Sequence, residues 1–171
     1  MRQARRALLV ALLLAAPPAG AQSPPRSLHL RDLTWMEVRD AIAAGHVVAL
    51  APTGGVEQNG PHMALDKHDR IVARAAERIA AAVGGALVAP VVSFAPEGDH
   101  APPTGNMRWP GTIGLTEPVF EGVLDNLARS LKQAGFKAIF FIGDHGQSQA
   151  AQARVAERLT REWARAGVVV R

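Results

Sequence analysis

The sequence predicts a three-layer α/β/α domain built on a mostly parallel sheet. Three observations lead there. Short apolar runs at 47–51, 86–89 and 138–142 alternate with longer amphipathic segments whose apolar residues recur at helical spacing. The runs are apolar at every position, as strands covered on both faces are. Short Gly-containing turns lie at one end of the elements and long polar loops at the other, which implies right-handed crossovers and helices on both faces.

Ahead of these elements stands an export leader. Arg2, Arg5 and Arg6 precede an apolar run, Ala7–Ala16, and Ala19-Gly20-Ala21 supplies a small-x-small cleavage pattern. The run is too short for a bilayer span, which needs roughly 20 residues. A signal peptide over 1–21, a mature start near Gln22 and a periplasmic or secreted location are therefore expected. Residues 22–30, with Pro24 and Pro25, read as an extended lead-in.

Thr34 and Glu37 form a capping box that opens a first helix ending at Gly45. Val47–Ala51 is the first strand. Asp69 caps a second helix with the stripe Ile71, Val72, Ala75, Ala76, Ile79 and Val83, stopped by Gly84 and Gly85. Ala86–Ala89 is the next strand, followed by a Gly/Pro-rich loop over 93–114. Thr116 caps a third helix whose apolar face is Val119, Phe120, Val123, Leu124, Leu127 and Leu131. Ala138–Ile142 is the most apolar strand, and a fourth helix is expected over about 147–166. Val168–Val170 starts another strand at the end of the sequence, so the C-terminal part of the domain is expected to be missing.

The full sequence carries 19 basic and 15 acidic residues; without the three leader arginines the balance is 16 to 15. No basic run with interleaved aromatics survives, which excludes a nucleic-acid partner. With the leader cleaved, no membrane partner is expected either. Cys is absent, so disulfides are excluded and any metal must take nitrogen and oxygen donors.

Three polar segments, 56–69, 93–114 and 143–148, follow strand C-termini, where ligands bind in parallel sheets. They carry Glu57, His68 ahead of the second helix, Glu97, and Asp144 with His145 at the end of the central strand. The positive end of a helix disfavours imidazolium, which would keep His68 able to bind metal. One carboxylate and two imidazoles leave an open position for water, a pattern suited to hydrolysis of an amide or C–N bond. The spacing fits equally a set of histidines that merely hold turns.

The motif series resembles the creatininase family of amidohydrolases. Leu33-Thr34-Trp35 with Glu37-Val38, Glu57-Gln58, Gly60-Pro61-His62, Pro110-Gly111-Thr112, Gly135-Phe136 and His145 match that family's motifs in order. The resemblance implies a small-molecule substrate, a homo-oligomer and a metal site. It also marks departures: Asn59 stands at a family His ligand, His68 at the bridging Asp, and Gln147 at a Glu ligand. Loss of the bridging carboxylate implies one divalent metal rather than two, zinc first, with manganese or iron as alternatives. Glu57, His68 and His145 would bind it, and Glu97 or Asp144 would shuttle a proton or orient a ligand. Asn59, His62, Gly146 and Gln147 would line the pocket. The alternative is a non-catalytic periplasmic binding or scaffold protein that kept the fold with a degenerate site.

Overall fold

Four helices and four strands follow one another in the computed structural model, which describes residues 24–171. The expected leader and its cleavage point lie outside the described residues. The first helix, α1 (Trp35–Ala43), carries the complete capping box: the Thr34 hydroxyl accepts from the Glu37 N–H, and the Glu37 carboxylate accepts from the Thr34 N–H. Arg26, hydrogen-bonded to that carboxylate at 2.6 Å, ties the lead-in to the helix and holds the Glu37 carboxyl down at about 2.

Strands β1 (Val48–Thr53), β2 (Ala86–Val88), β3 (Ala138–Gly143) and β4 (Val169–Val170) form one sheet in the order β2-β1-β3-β4. Every pairing among them is parallel, with Val48 opposite both Ala86 and Ala138, and Ala138 opposite Val169. Side-chain alternation divides the core into two layers. Ala49, Ala51, Leu87, Ile139 and Val170 face α3 (Glu117–Ala134) and α4 (Gln149–Glu162), where they meet Phe120, Leu124, Val155 and Leu159. Leu50, Ala86 and Val88 face α2 (Lys67–Val83), against Ala76 and Ala80. Each large apolar side chain buried this way contributes about 1.5–3 kcal/mol. The expected three layers and parallel sheet are thus present. Among the described residues no helix is long and apolar enough to cross a membrane.

Some boundaries differ from expectation. Asp66, not Asp69, is the N-cap of α2, and Asp69 lies inside the first turn. Its carboxylate is used elsewhere, accepting a hydrogen bond from the Gly55 N–H at 3.0 Å. The buried line of α2 is His68, Val72, Ala76 and Ala80 at strict four-residue spacing, while Ile71, Ile79 and Val83 stay exposed. A helix laid on a flat sheet buries a narrow ridge, and the flank of the expected stripe falls outside it. Val119 and Val123 are likewise exposed on α3. The expected fourth helix is divided into a 3-10 turn at Gly146–Ser148, α4, and a second 3-10 turn at Ala164–Ala166.

The topology fixes where a ligand can sit. From β1 the chain crosses to β2 on one side, and from β3 to β4 on the other. Adjacent strands whose connections diverge leave a crevice at their carboxyl ends. Here that crevice lies beyond Thr53 and Gly143, which pair with each other.

Candidate metal centre

Two loops leave the crevice and a third closes over it. Beyond β1 the chain runs through Gly54 and Gly55 to Glu57, whose N–H donates to the Leu65 carbonyl at 3.1 Å. A Cβ on Gly54 would collide with the Asp69 side chain, so only glycine lets the loop pass α2 this closely. Beyond β3, Asp144 and His145 follow directly. The 93–114 loop brings Glu97, held by the N–H groups of Asn106 and Met107 on its carbonyl at 2.9 and 3.3 Å.

The ligand atoms of Glu57, Glu97 and His145 lie within 4.8 Å of one another. His145 Nε2 stands 3.2 Å from Glu97 Oε1 and 3.4 Å from Glu57 Oε2. All three residues are buried, Glu97 completely, at 0% exposure. Glu97 Oε1 and His145 Nδ1 have no hydrogen-bond partner. A Cβ at Gly55 would stand 3.1 Å from Glu97 Oε1 and 3.4 Å from His145 Cδ2, so the bare glycine leaves a cradle beside both. Buried polar atoms are nearly always partnered, and an unpartnered carboxylate oxygen beside a second carboxylate is costly unless a cation joins them.

His68, the second residue of α2, packs edge-on against His145 with ring centroids 5.2 Å apart. Its Nε2 meets Glu57 Oε1 at 2.7 Å and its Nδ1 meets Asp144 Oδ1 at 2.8 Å. The helix end is therefore only part of its surroundings, with a carboxylate on either side of the ring. Burial pushes the Glu57 carboxyl up, but the hydrogen bond with His68 and the charges of both histidines outweigh it and hold the group below the usual range. For His145, burial pushes the imidazole down, and the carboxylates of Glu97 and Glu57 outweigh it and raise the group.

Of the residues expected at the site, Glu57, Glu97, His68 and His145 meet directly, and Asp144 joins through His68. Asn59 turns its amide to the backbone, donating to the Glu57 carbonyl at 3.0 Å. His62, Gly146 and Gln147 are exposed. Gln147 borders an open cleft of about 410 Å³ together with Asp99, Thr116 and Glu117. A second cleft, about 340 Å³, is lined by Gln58, Pro61, Leu65, Trp109 and Pro110.

Sequence reasoning missed Asn106. Its Nδ2 donates to Glu57 Oε2 and, at 3.1 Å, to Glu97 Oε2, and its Oδ1 accepts from Gln58 Nε2 at 3.4 Å. No periodicity or charge marked it within the 93–114 loop.

Residues 31–171 match the family model for creatininase, creatinine amidohydrolase. The chain belongs to the creatininase family. It is 28% identical over 120 residues to a creatinine amidohydrolase of Pseudomonas putida, covering 70% of this chain and 45% of that protein. It is 32% identical over 114 residues to a mycofactocin precursor peptide peptidase of Mycolicibacterium smegmatis, covering 64% and 44%. The chain therefore spans less than half the length of these relatives. A creatininase crystal structure superposes with a TM-score of 0.74 at 26% identity, over 85% of this chain and 57% of that one. A mutant creatininase of Zn-Zn type and a creatininase with Mn each superpose with a TM-score of 0.73.

Proposed function

We propose that this creatininase-family chain is a metal-dependent hydrolase acting on an amide or cyclic C–N bond of a small molecule. The observation that carries the reading is Glu97. A wholly buried carboxylate, one oxygen of which makes no hydrogen bond and meets only the His145 ring nitrogen at 3.2 Å, suits a cation held together with Glu57. Glu57, Glu97 and His145 would hold one divalent ion. Zinc suits two carboxylates and an imidazole, with manganese or iron as alternatives. His68 was the sequence-based candidate for the third ligand. Both its ring nitrogens already face carboxylates, which favours Glu97 in that place and His68 beside it.

When bound, such a cation supplies Lewis-acid activation of water and of an amide carbonyl. The chain's own residues do the rest. His68, between buried Glu57 and half-exposed Asp144, is placed to hold a proton at either ring nitrogen and pass it toward solvent. Asp144 also fixes the orientation of the ring. Two clefts lined by chain neighbours of the cluster, one by Pro96 and Gln147 and the other by Gln58 and Trp109, offer room for a small substrate.

The sequence of the leader supports an exported enzyme, and the exposed Ile71, Ile79 and Val83 support a homo-oligomer. Assay of the purified chain against creatinine, other cyclic amides and short peptides, with and without chelator, tests the function. The expected result is hydrolysis of at least one class, abolished by chelation and restored by zinc or manganese. Metal-independent binding without turnover would favour the non-catalytic alternative.

A further inference from the structure

Two buried carboxylates that face one ion also repel each other, so something must hold them together when the ion is away. Glu57 and Glu97 arrive on different loops, 40 positions apart in the sequence. No Lys or Arg side chain is paired with either of them among the described residues. Two groups stand between them: the His145 ring, whose Nε2 would turn to the ion, and the Asn106 amide, whose Nδ2 donates to Glu57 Oε2 and to Glu97 Oε2.

We propose that Asn106 is a positioning residue that clamps Glu57 and Glu97 into one cation-binding pair and so sets the metal affinity of the site. The inference rests on the metal-dependent reading above. Three features of the molecule support it. An NH2 group carries two protons pointing in different directions, which matches two separate carboxylate acceptors. The amide is neutral, so it orients the pair without consuming its negative charge, whereas an Arg or Lys there would compete with the ion. Because carboxylates accept and do not donate when ionised, the amide can point only its nitrogen at them, and its oxygen turns to Gln58 Nε2.

The backbone is shaped to deliver this side chain. Gly105 adopts φ +51°, and a Cβ on it would come within 2.6 Å of the Glu97 carbonyl oxygen. Glycine thus lets the turn press against the segment that carries Glu97. The Asn106 N–H then donates to that same carbonyl at 2.9 Å, and the Asn106 carbonyl accepts from the Trp109 N–H at 3.0 Å. Asn106 is therefore anchored by its backbone to one of the two carboxylate segments and by its side chain to both carboxylates.

The test measures zinc affinity by chelator competition on the full chain, as wild type and as Asn106→Leu, Asn106→Gln and Asn106→Ser. Leucine keeps the branching at Cγ and removes the donors; glutamine keeps the donors one methylene further out. Zinc affinity should fall roughly 10- to 100-fold in Asn106→Leu, the range usual for residues that orient metal ligands. Asn106→Gln should recover part of it, a rescue that a merely space-filling role would not show. Melting of the metal-stripped variants separates loss of fold from loss of clamping; if Asn106→Leu does not fold, Asn106→Ser, too short to reach both carboxylates, carries the comparison. Zinc affinity within about twofold of wild type in folded Asn106→Leu or Asn106→Ser would overturn the proposal. A wild-type chain that binds no metal would instead overturn the metal-dependent reading itself, and this inference with it.

Discussion

Two charged clusters of this molecule are opposites. On the outer surface of α3 and α4, Arg129 bridges Asp125 at 2.7 Å and Glu162 at 2.8 Å, and Arg158 reaches Asp125 at 2.8 Å. Cations and anions there are matched, and all but the partly buried Asp125 are exposed. In the crevice, Glu57 and Glu97 converge on His145 with an oxygen and a ring nitrogen unpartnered, all of it buried. The surface cluster satisfies itself and gains little, because solvent already stabilises its charges. The crevice cluster is satisfied only if something is added. The number of charges does not separate a functional site from decoration; the unpaired remainder under burial does.

The largest expected effect breaks the crevice cluster at its centre. Glu97→Gln keeps the shape and removes the charge, so metal should be lost and hydrolysis should fall by roughly 10²-fold or more. The metal-stripped variant should melt above the metal-stripped wild type, because a buried unpaired oxygen has been relieved of its charge. A lower melting temperature in Glu97→Gln would make Glu97 a structural residue like Asp125.

Gly55→Ala tests the cradle. Its methyl would stand 3.1 Å from Glu97 Oε1 and 3.4 Å from the His145 ring. Zinc affinity should drop about tenfold while the fold persists, since the displaced atoms are ligand side chains rather than core. Unchanged affinity would show that the space beside Gly55 is not used.

The two clusters should also differ in pH response. In metal-stripped protein the raised His145 contributes stability that is fully present below the ordinary imidazole value, about 6.5, and is lost as pH rises through its folded-state value. The lowered Glu57 contributes stability present above the ordinary carboxyl value and lost as pH falls through its folded-state value. Metal-stripped stability should therefore be greatest between the two ordinary values. Zinc competes with the proton on His145, so zinc affinity should rise across the range where metal-free stability falls. Melting and zinc titration from pH 4 to 9 check both signs.

The smallest effect belongs to the surface. Arg129→Ala should shift the melting temperature by about a degree or two and leave metal content unchanged. A larger fall would mean that the α3–α4 ion pairs stabilise the packing of those helices.

Much of this contrast was legible in the sequence. The apolar runs around Ala49 and Ile139 located the central strands because buried parallel strands have no polar face. The capping box at Thr34 carries its own local signal. Glu57, His68 and His145 could be brought to one edge because each follows a strand C-terminus or opens the next helix. What escaped was non-local. Asp69 is a good cap on paper, and only the approach of Gly55 shows that its carboxylate is used elsewhere. Asn106 and the central place of Glu97 depend on how a loop without periodicity folds back, which is set by Gly105 and by backbone hydrogen bonds. The exposed flank of α2 escaped because helical spacing gives a direction, not the width of the surface that will cover it.

The central claim is that Glu57, Glu97 and His145 together hold one divalent ion. Elemental analysis of the purified chain, run beside Glu97→Gln, His145→Ala and Arg129→Ala, tests it most directly. About one equivalent of zinc, manganese or iron per chain is expected in the wild type and in Arg129→Ala, and almost none in the two crevice variants. Two equivalents in the wild type, none at all, or an equal content in Glu97→Gln would contradict it.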